Sequence, residues 1–463
     1  MKKLLIPFLF LSIPVLAQQQ NTFYFMNGVA QQSYLNPALI PDHKVTIGLP
    51  GMSSIYTSAG NSGFTYNDAF SRRPSDDSLV FELDRMANKL GNKNYISQHT
   101  ALDGLFIGFD VGPRWYFTFN VSVKSMSRLM YPRDLINLAK DGNAGSIGEE
   151  LLLSPQVEGL AYREMAVGLA HKVNERLSFG ARLKYLRGAA NITTDQSQFS
   201  LRTDEDFSMT IQGDMLLKTS GINQFEDGSI EINNVSDALG VFSNTGFGID
   251  LGASWQPNDD FKFALSIVDL GYINWKNDIL GYGLTNGTAS YTFRGFDIAK
   301  LIDDEDAAQA EFDELEAAFD VDEVNIDSYS TWLPTRFLLS GEYFIRPNLR
   351  TGLLLSSEIY RGRFNGSASV NVARDFGRRM TFALSWSAMH RQYNNFGAGL
   401  NLNFAPIQFY VAADNAMRLP FALMSDGNIN NFINQSKVVN VRAGINLIFG
   451  YRKGQDKLLT PDF

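Results

Sequence analysis

The sequence predicts an all-β fold: a transmembrane outer-membrane β-barrel of about fourteen antiparallel strands, with an N-terminal plug-like segment and helical insertions in its loops. Three observations predict it. First, the strand-like runs alternate apolar and polar residues with period two. From Val438 to Phe449, one parity holds Val439, Val441, Ala443, Ile445, Leu447 and Phe449, and the other Asn440, Arg442, Gly444, Asn446 and Ile448. Successive strand side chains point to opposite faces, so one face suits hydrocarbon and the other a polar interior. Second, several runs are joined by very short turns. Third, beyond the leader no stretch of about 18 apolar residues exists, so a membrane crossing must use strands. In lipid every backbone polar group needs a partner within the protein, and a closed barrel is the strand arrangement that supplies one.

The chain opens on a secretory leader. Lys2 and Lys3 form a charged start, Leu4 to Leu16 an apolar core, and Ala17 a small residue suited to cleavage, so residues 1–17 are expected to be removed. Residues 18–44 are then a periplasmic, plug-like segment, 45–450 the barrel, and 451–463 a periplasmic tail. Strand faces follow in order. Trp115, Phe117, Phe119, Val121 and Val123 oppose Tyr116, Thr118, Asn120, Ser122 and Lys124. Leu177, Phe179, Ala181, Leu183 and Tyr185 oppose Ser178, Gly180, Arg182 and Lys184. Phe247, Ile249, Leu251, Ala253 and Trp255 oppose Gly248, Asp250, Gly252 and Ser254. Phe396, Ala398, Leu400, Leu402 and Phe404 oppose Gly397, Gly399, Asn401 and Asn403. The polar parity is rich in Gly, Ala, Ser and Asn rather than Lys and Glu, which suits a crowded lumen better than the wet face of a soluble sandwich.

Short connections at Gly112–Arg114, Asn174–Glu175, Pro257–Asp260, Arg346–Asn348, Asp375–Arg378 and Ala405–Pro406 are assigned to the periplasmic side, where such barrels keep their tight turns. Alternation between the two sides then places spanning strands near 45–57, 102–112, 115–127, 157–173, 176–194, 243–256, 261–274, 334–346, 349–361, 365–375, 379–391, 394–404, 407–415 and 438–449. The runs Phe207–Leu217 and Ala289–Phe293 would put a short turn on the wrong side and are assigned to outer loops. Asp77–Leu90 reads as a short amphipathic helix, with Leu79, Leu83, Met86 and Leu90 on one side, and Pro132–Lys140 as another. Asp303–Asp327 holds twelve acidic residues and no Lys or Arg. Ala308, Phe312, Leu315 and Phe319 within it fall at helical spacing, so an acidic helix is expected to pack that stripe on the barrel rim.

The net charge is −9, and 49 acidic residues argue against nucleic-acid binding. There is no Cys, hence no disulfide and no lipoprotein anchor, and the 35 Phe and 18 Tyr would furnish aromatic girdles at the membrane interfaces. The four His, His43, His99, His171 and His390, form neither a triad motif nor a pair at i, i+4, so neither an enzyme nor a metal centre is expected. Asp320, Asp322, Asn325 and Asp327 offer oxygens, but no Gly occurs in that segment to make a calcium loop's sharp turn. No cofactor is expected.

The early Tyr34-Leu35-Asn36-Pro37-Ala38 resembles an Asn-Pro-Ala near the mature N-terminus of the long-chain fatty-acid transporter (FadL) family of barrels, where the N-terminal segment folds into the lumen as a plug. Gly246-Phe247-Gly248-Ile249-Asp250-Leu251-Gly252 and Val268-Asp269-Leu270-Gly271 extend the resemblance. Leu333–Arg336 and Gln408–Asn415 are similar to segments of a large set of Bacteroidota outer-membrane barrels. The resemblance implies a channel or transporter for hydrophobic or small amphipathic solutes; its alternative is a non-enzymatic scaffold in an outer-membrane assembly or secretion complex of type IX kind. Expected partners are outer-membrane lipid, other outer-membrane proteins or lipoproteins, and the barrel-assembly machinery. Asn36, Pro37 and Ala38 are the plug motif. Glu164, Arg182, Lys184, Asp250, Glu342, Glu358 and Arg442 fall on the polar parity and are expected to pair inside the lumen, because unpaired buried charge is costly. Phe449 ends the last strand and is assigned as the aromatic read during assembly. Phe449→Ala is expected to lower the folded barrel in the outer membrane severalfold by immunoblot; an unchanged level would remove the assignment.

Overall fold

The computed structural model describes residues 20–222, 243–285, 287–295, 307–389, 392–415 and 438–452. The leader, His390 and the tail beyond Arg452 lie outside them. β1 (His43–Gly48) and β2 (Ile55–Asn61) are followed by a small hairpin, β3 (Phe70–Arg72) and β4 (Leu79–Phe81). Next come β5 (Lys93–Val111), β6 (Trp115–Pro132), β7 (Glu150–Leu152), β8 (Gln156–Lys172), β9 (Leu177–Thr203) and β10 (Met209–Ser220). The middle of the chain supplies β11 (Asn244–Trp255), β12 (Phe261–Trp275), β13 (Ile279–Leu284), β14 (Ala289–Phe293), β15 (Val321–Val324) and β16 (Tyr329–Trp332). It ends with β17 (Thr335–Arg346), β18 (Leu349–Tyr360), β19 (Arg363–Phe376), β20 (Met380–Met389), β21 (Gln392–Phe404), β22 (Ile407–Asp414) and β23 (Val438–Tyr451).

β5, β6, β8, β9, β11, β12, β17, β18, β19, β20, β21, β22 and β23 pair in that order, each antiparallel to the next. β1 and β2 act as one spanning strand between β23 and β5 and close a barrel of fourteen. That strand, expected to be continuous over 45–57, is interrupted at 49–54. The interruption is held by backbone bonds from Gly51 N to Asp103 O (3.0 Å) and from Ile445 N to Met52 O (2.8 Å). It carries Ser53 and Ser54 into the buried interior. The six short turns assigned above all lie at one end of the barrel, and the two-residue turn between Tyr360 and Arg363 lies at the other. Along the outer surface Trp115, Leu183, Phe263, Leu339, Leu353, Val370 and Phe409 are exposed, the band that meets lipid.

At the other end β9 outruns the barrel. Its far half pairs with β10, whose second edge takes β13 and β14 as one interrupted strand, and β15 adds to β13. The runs Phe207–Leu217 and Ala289–Phe293 therefore do not span, but they are strands of an arm rather than loops: alternation specifies a strand without specifying whether the barrel or an extension receives it. Two helix expectations are corrected. Within Asp77–Leu90 only Leu83–Ala87 is helical, because Leu79–Phe81 pairs with Phe70–Arg72 instead. The acidic helix runs Ala307–Ala318 and Phe319 beyond it packs on Phe199 at 6.4 Å between ring centroids, but Phe312 is 59% exposed, so the stripe does not seat as a whole. The helix at Arg133–Asp141 matches its expectation.

Candidate functional site

The barrel interior is where buried chemistry collects, and residues 20–42 fill its short-turn half. A helical turn (Asn21–Tyr24) and a 3-10 turn (Ala30–Tyr34) carry Phe23, Tyr24, Phe25, Met26, Val29 and Leu35 onto inward Val268, Leu338, Leu354, Ala383, Tyr410 and Ala412. Small inward residues make the room. A Cβ on Gly180 would stand 2.2 Å from the Pro37 carbonyl oxygen, and one on Gly252 2.1 Å from Asn36 Oδ1. Polar anchors set the register. Thr22 donates its N–H (3.0 Å) and hydroxyl (2.5 Å) to Asp414 Oδ1. Gln31 Nε2 donates to Asn446 Oδ1 (2.7 Å), and Gln408 Nε2 to Gly28 O (3.0 Å).

Asn36 is fully buried at the Asn-Pro-Ala motif. Its Oδ1 accepts from Ala38 N (2.9 Å), tightening the turn around Pro37, while its Nδ2 faces the carbonyls of Ala253 and Leu265, each at 3.3 Å. Ser178 Oγ donates to Ala38 O (3.0 Å) and Ser266 Oγ to Leu35 O (2.6 Å), so the motif ties the segment to β9 and β12.

Beside the segment lies a connected charge network. Arg182 donates to Asp250 Oδ2 (2.7 Å) and to Asn120 Oδ1 (2.6 Å), and stands 3.3 Å from Glu164. Lys184 bridges Asp250 and Asp269, each at 2.6 Å; Lys124 pairs with Glu164 at 2.6 Å and Arg336 with Asp269 at 2.7 Å. Four cations face three carboxylates here. Glu342 pairs with Arg350 (3.3 Å) and Lys262 (3.4 Å), and Arg350 also reaches Asp375 and the Phe25 carbonyl (3.0 Å). Glu358 pairs with Arg128 at 3.3 Å. Arg442 differs: it donates to Ser54 Oγ (2.5 Å), and its guanidinium sits over the rings of Tyr56 (4.9 Å), Phe23 (5.2 Å) and Tyr34 (5.7 Å). Two of those rings belong to the inner segment, so Arg442 holds it by cation–π attraction. Tyr34 in turn donates to Asp103 Oδ2 (2.6 Å), and burial holds its phenol well above the usual range, so it stays a donor.

All seven lumen charges singled out in the sequence are thus buried inside the barrel. Sequence reasoning missed Asp103 and Asp269. Each sits where the pairing slips, next to Gly104 opposite β6 and beside Val268 opposite β11. A bulge adds one residue and turns the following side chains to the other face. The signal was present: outward apolar positions switch from Phe261, Phe263, Leu265 and Ile267 to Leu270 and Tyr272, and from Phe109, Ile107 and Leu105 to Leu102.

Toward the loop end the lining turns apolar. Met126, Leu160, Tyr162, Leu186, Ile273, Trp275, Leu333 and Tyr360 form one buried cluster, with Tyr329 against it. The cluster joins two cavities. One, of about 60 Å³, lies above Gln20 and Tyr34 among Lys124, Glu164, Asp269 and Arg336. The other, of about 350 Å³, opens where β16 pairs with β12 and β17 pairs with β18 only as far as Thr335 and Ile359. Outward Trp332 and Ile359 and inward Leu333 and Tyr360 line it together, with Lys218 and Asp195 at its rim, so it reaches through the wall.

A family model described as a family of unknown function (DUF5723) matches residues 37–414. No curated protein matches the chain. Similar solved structures include a Pseudomonas aeruginosa FadL homologue (11% identity, 95% of this chain and 100% of that one, TM-score 0.43). The Pseudomonas putida toluene transporter TodX shows 9% identity over 92% of this chain and 95% of that one, with a TM-score of 0.38. The translocator domain of the autotransporter NalP from Neisseria meningitidis shows 8% identity over 90% and 93%, with a TM-score of 0.32. At these TM-scores the barrel stands on its own strand pairing.

Asp250→Asn leaves Arg182 and Lys184 short of one carboxylate, and about 3 kcal/mol of barrel stability is expected to be lost, measured from urea unfolding followed by gel mobility. Gly252→Val is expected to unseat the inner segment. A Ser33→Cys thiol, buried in the parent, should then react with maleimide at least severalfold faster, whereas Gly341→Ala should leave its rate unchanged.

Proposed function

The chain belongs to the DUF5723 family, and from that premise we propose that it is a channel or transporter for hydrophobic or small amphipathic solutes, held shut by its N-terminal segment. The observation that carries this reading is the apolar cluster between the two cavities. A barrel filled for stability alone has no use for a cavity of about 350 Å³ with aromatic walls and a charged rim, a size and lining typical of small-molecule sites. A solute entering there meets Tyr360, Leu333 and Trp275, then the small cavity above the charge network, and is stopped by residues 20–42. With the short turns in the periplasm, these residues plug the exit. Passage requires the segment to yield, against the bonds of Thr22 to Asp414, Gln31 to Asn446, Tyr34 to Asp103 and the Asn36 turn to the wall, the Arg442 guanidinium over Phe23 and Tyr34, and the packed apolar side chains.

A second reading, a non-enzymatic scaffold in an outer-membrane assembly or secretion complex, is favoured by the arm of β10 and β13–β15 and by the acidic helix beside it, which reach beyond the lipid band and touch the larger cavity through Lys218 of β10.

One experiment separates the two. The side-chain oxygens of Thr22 and Ser385 are 2.5 Å apart, so cysteines at both positions can lock the segment to the wall in a chain that has no other Cys. Cells carrying the double-cysteine protein are expected to resist novobiocin, a hydrophobic antibiotic, when oxidised and to regain susceptibility on reduction. Deletion of residues 20–42 should raise conductance in planar bilayers. Equal susceptibility and equal conductance in all forms would overturn the transport reading, and stoichiometric co-purification of other proteins in mild detergent would then support the scaffold.

A further inference from the structure

Two arginines occupy lipid-facing positions on the outside of the barrel. Arg163 on β8 and Arg187 on β9 are direct cross-strand partners. Their chain neighbours Tyr162, Glu164, Leu186 and Gly188 are buried in the interior, and alternation therefore turns both arginines outward. The flanking residues in the same cross-strand row, Val123 and Thr245, are exposed on that same face. Directly opposed like charges are unfavourable in a sheet, and a guanidinium facing mid-membrane hydrocarbon is costly, a cost that nearly vanishes near the interface. Their height in the membrane is therefore informative.

Two measures place them at the interface. Arg187 lies ten residues along β9 from Leu177 at the short-turn end, which at ~3.3 Å per residue and a tilt near 40° is ~25 Å, the height of the apolar band of such barrels. One register step nearer the turns, a continuous row runs Met165, Tyr185, Phe247, Tyr272, Trp332. Tyr185–Phe247 and Tyr272–Trp332 ring centroids are each 5.6 Å apart. The row is an aromatic girdle. From β8 to β16 the next row turns polar, Arg163, Arg187, Thr245, Asn274, Ser330, with Val123 on β6 beside Arg163. The arginines thus stand at headgroup level.

Immediately beyond them, past a register shift, the next outward-facing pair is Ala161 and Ala190, and the outer face there is hollowed into a depression of about 180 Å³. Gly159, Ala161, Ala190 and Ile192 line it with Met126 and Leu160, and the exposed Ser125, Ser127 and Gln98 bring hydroxyl and amide groups to it. Small residues at this height leave a flat seat against the sheet, and hydroxyl and amide groups beside it are suited to sugar hydroxyls. The geometry points to a binding site for a phosphate-bearing glycolipid headgroup of the outer leaflet. Arg163 and Arg187 take the phosphate oxygens, whose planar, forked recognition suits guanidinium groups. A sugar ring lies in the depression, and the acyl chains run down over Met165, Val167 and Leu169. In a chain of net charge −9, two adjacent cations at the level where anionic headgroups lie supply the charge complementarity. The site rests on the short turns facing the periplasm; the opposite orientation would give the arginines a phospholipid of the inner leaflet instead.

The test is native mass spectrometry of the full-length barrel released from mixed micelles of dodecyl maltoside with diphosphorylated lipid A, with its dephosphorylated form, or with phosphatidylglycerol. The intact protein is expected to retain diphosphorylated lipid A at least tenfold more than either other lipid. Retention should drop about tenfold in the Arg163→Gln/Arg187→Gln protein, the loss expected of charge-assisted contacts at a half-exposed site. Excess inorganic phosphate should compete only weakly. Folding of the variant is checked by heat-modifiable gel mobility, and Arg163→Lys/Arg187→Lys, which keeps the charge, should recover part of the retention. Equal retention of the dephosphorylated lipid or of phosphatidylglycerol, full displacement by phosphate, or unchanged retention in the glutamine variant would each overturn the site.

Discussion

In hydrocarbon a strand edge has no water to bond, so the first and last strands must find each other. Here β23 pairs with β22 on one side and with β1 and β2 on the other, and β1 and β2 in turn reach β5. Closure fixes the remaining architecture. It sends one parity of every strand to lipid and the other into a confined interior, and that interior has to be filled or wetted. The interruption at 49–54 is tolerated because its backbone groups still find Asp103 and Ile445 on the neighbouring strands.

How the interior is filled divides the molecule into halves. In the short-turn half, small inward residues such as Gly180 and Gly252 admit a whole chain segment, and the segment returns large apolar side chains to the space they leave. Beside it, cations and carboxylates contributed by β6, β8, β9, β11, β12 and β17 satisfy one another, since burying any of them alone would cost more than the barrel can offset. In the loop half a cluster of large apolar residues stands beside the Arg128–Glu358 pair, no segment enters among the described residues, and cavities remain. The boundary falls at Tyr34, Asp103 and Arg442, where the inner segment, the bulged β5 and the last strand meet.

Much of the scaffold is legible residue by residue. The turn between Trp255 and Phe261 and the strands on either side follow from alternation and the Pro257–Asp260 break. The run expected at 379–391 is β20, Met380–Met389. Misreadings cluster where a local pattern had two compatible destinations. Ala289–Phe293 has strand chemistry but joins an arm, and Leu79–Phe81 suits either a helix face or a hairpin until Phe70–Arg72 is seen opposite.

Away from bulges, the sequence alone determined which face of a spanning strand meets lipid and which side chains turn inward, because a two-residue period is local and needs no knowledge of distant neighbours. Tertiary structure alone decided who meets whom inside. Thr22 finds Asp414 across 392 positions of sequence, and Arg442 gathers Phe23, Tyr34 and Tyr56 from the chain's beginning. It also decided that Asp103 and Asp269 enter the lumen, since a bulge changes a residue's face only through the pairing of its strand with a neighbour. Register between strands far apart in sequence is set by closing the whole ring, and no window along the chain contains that information.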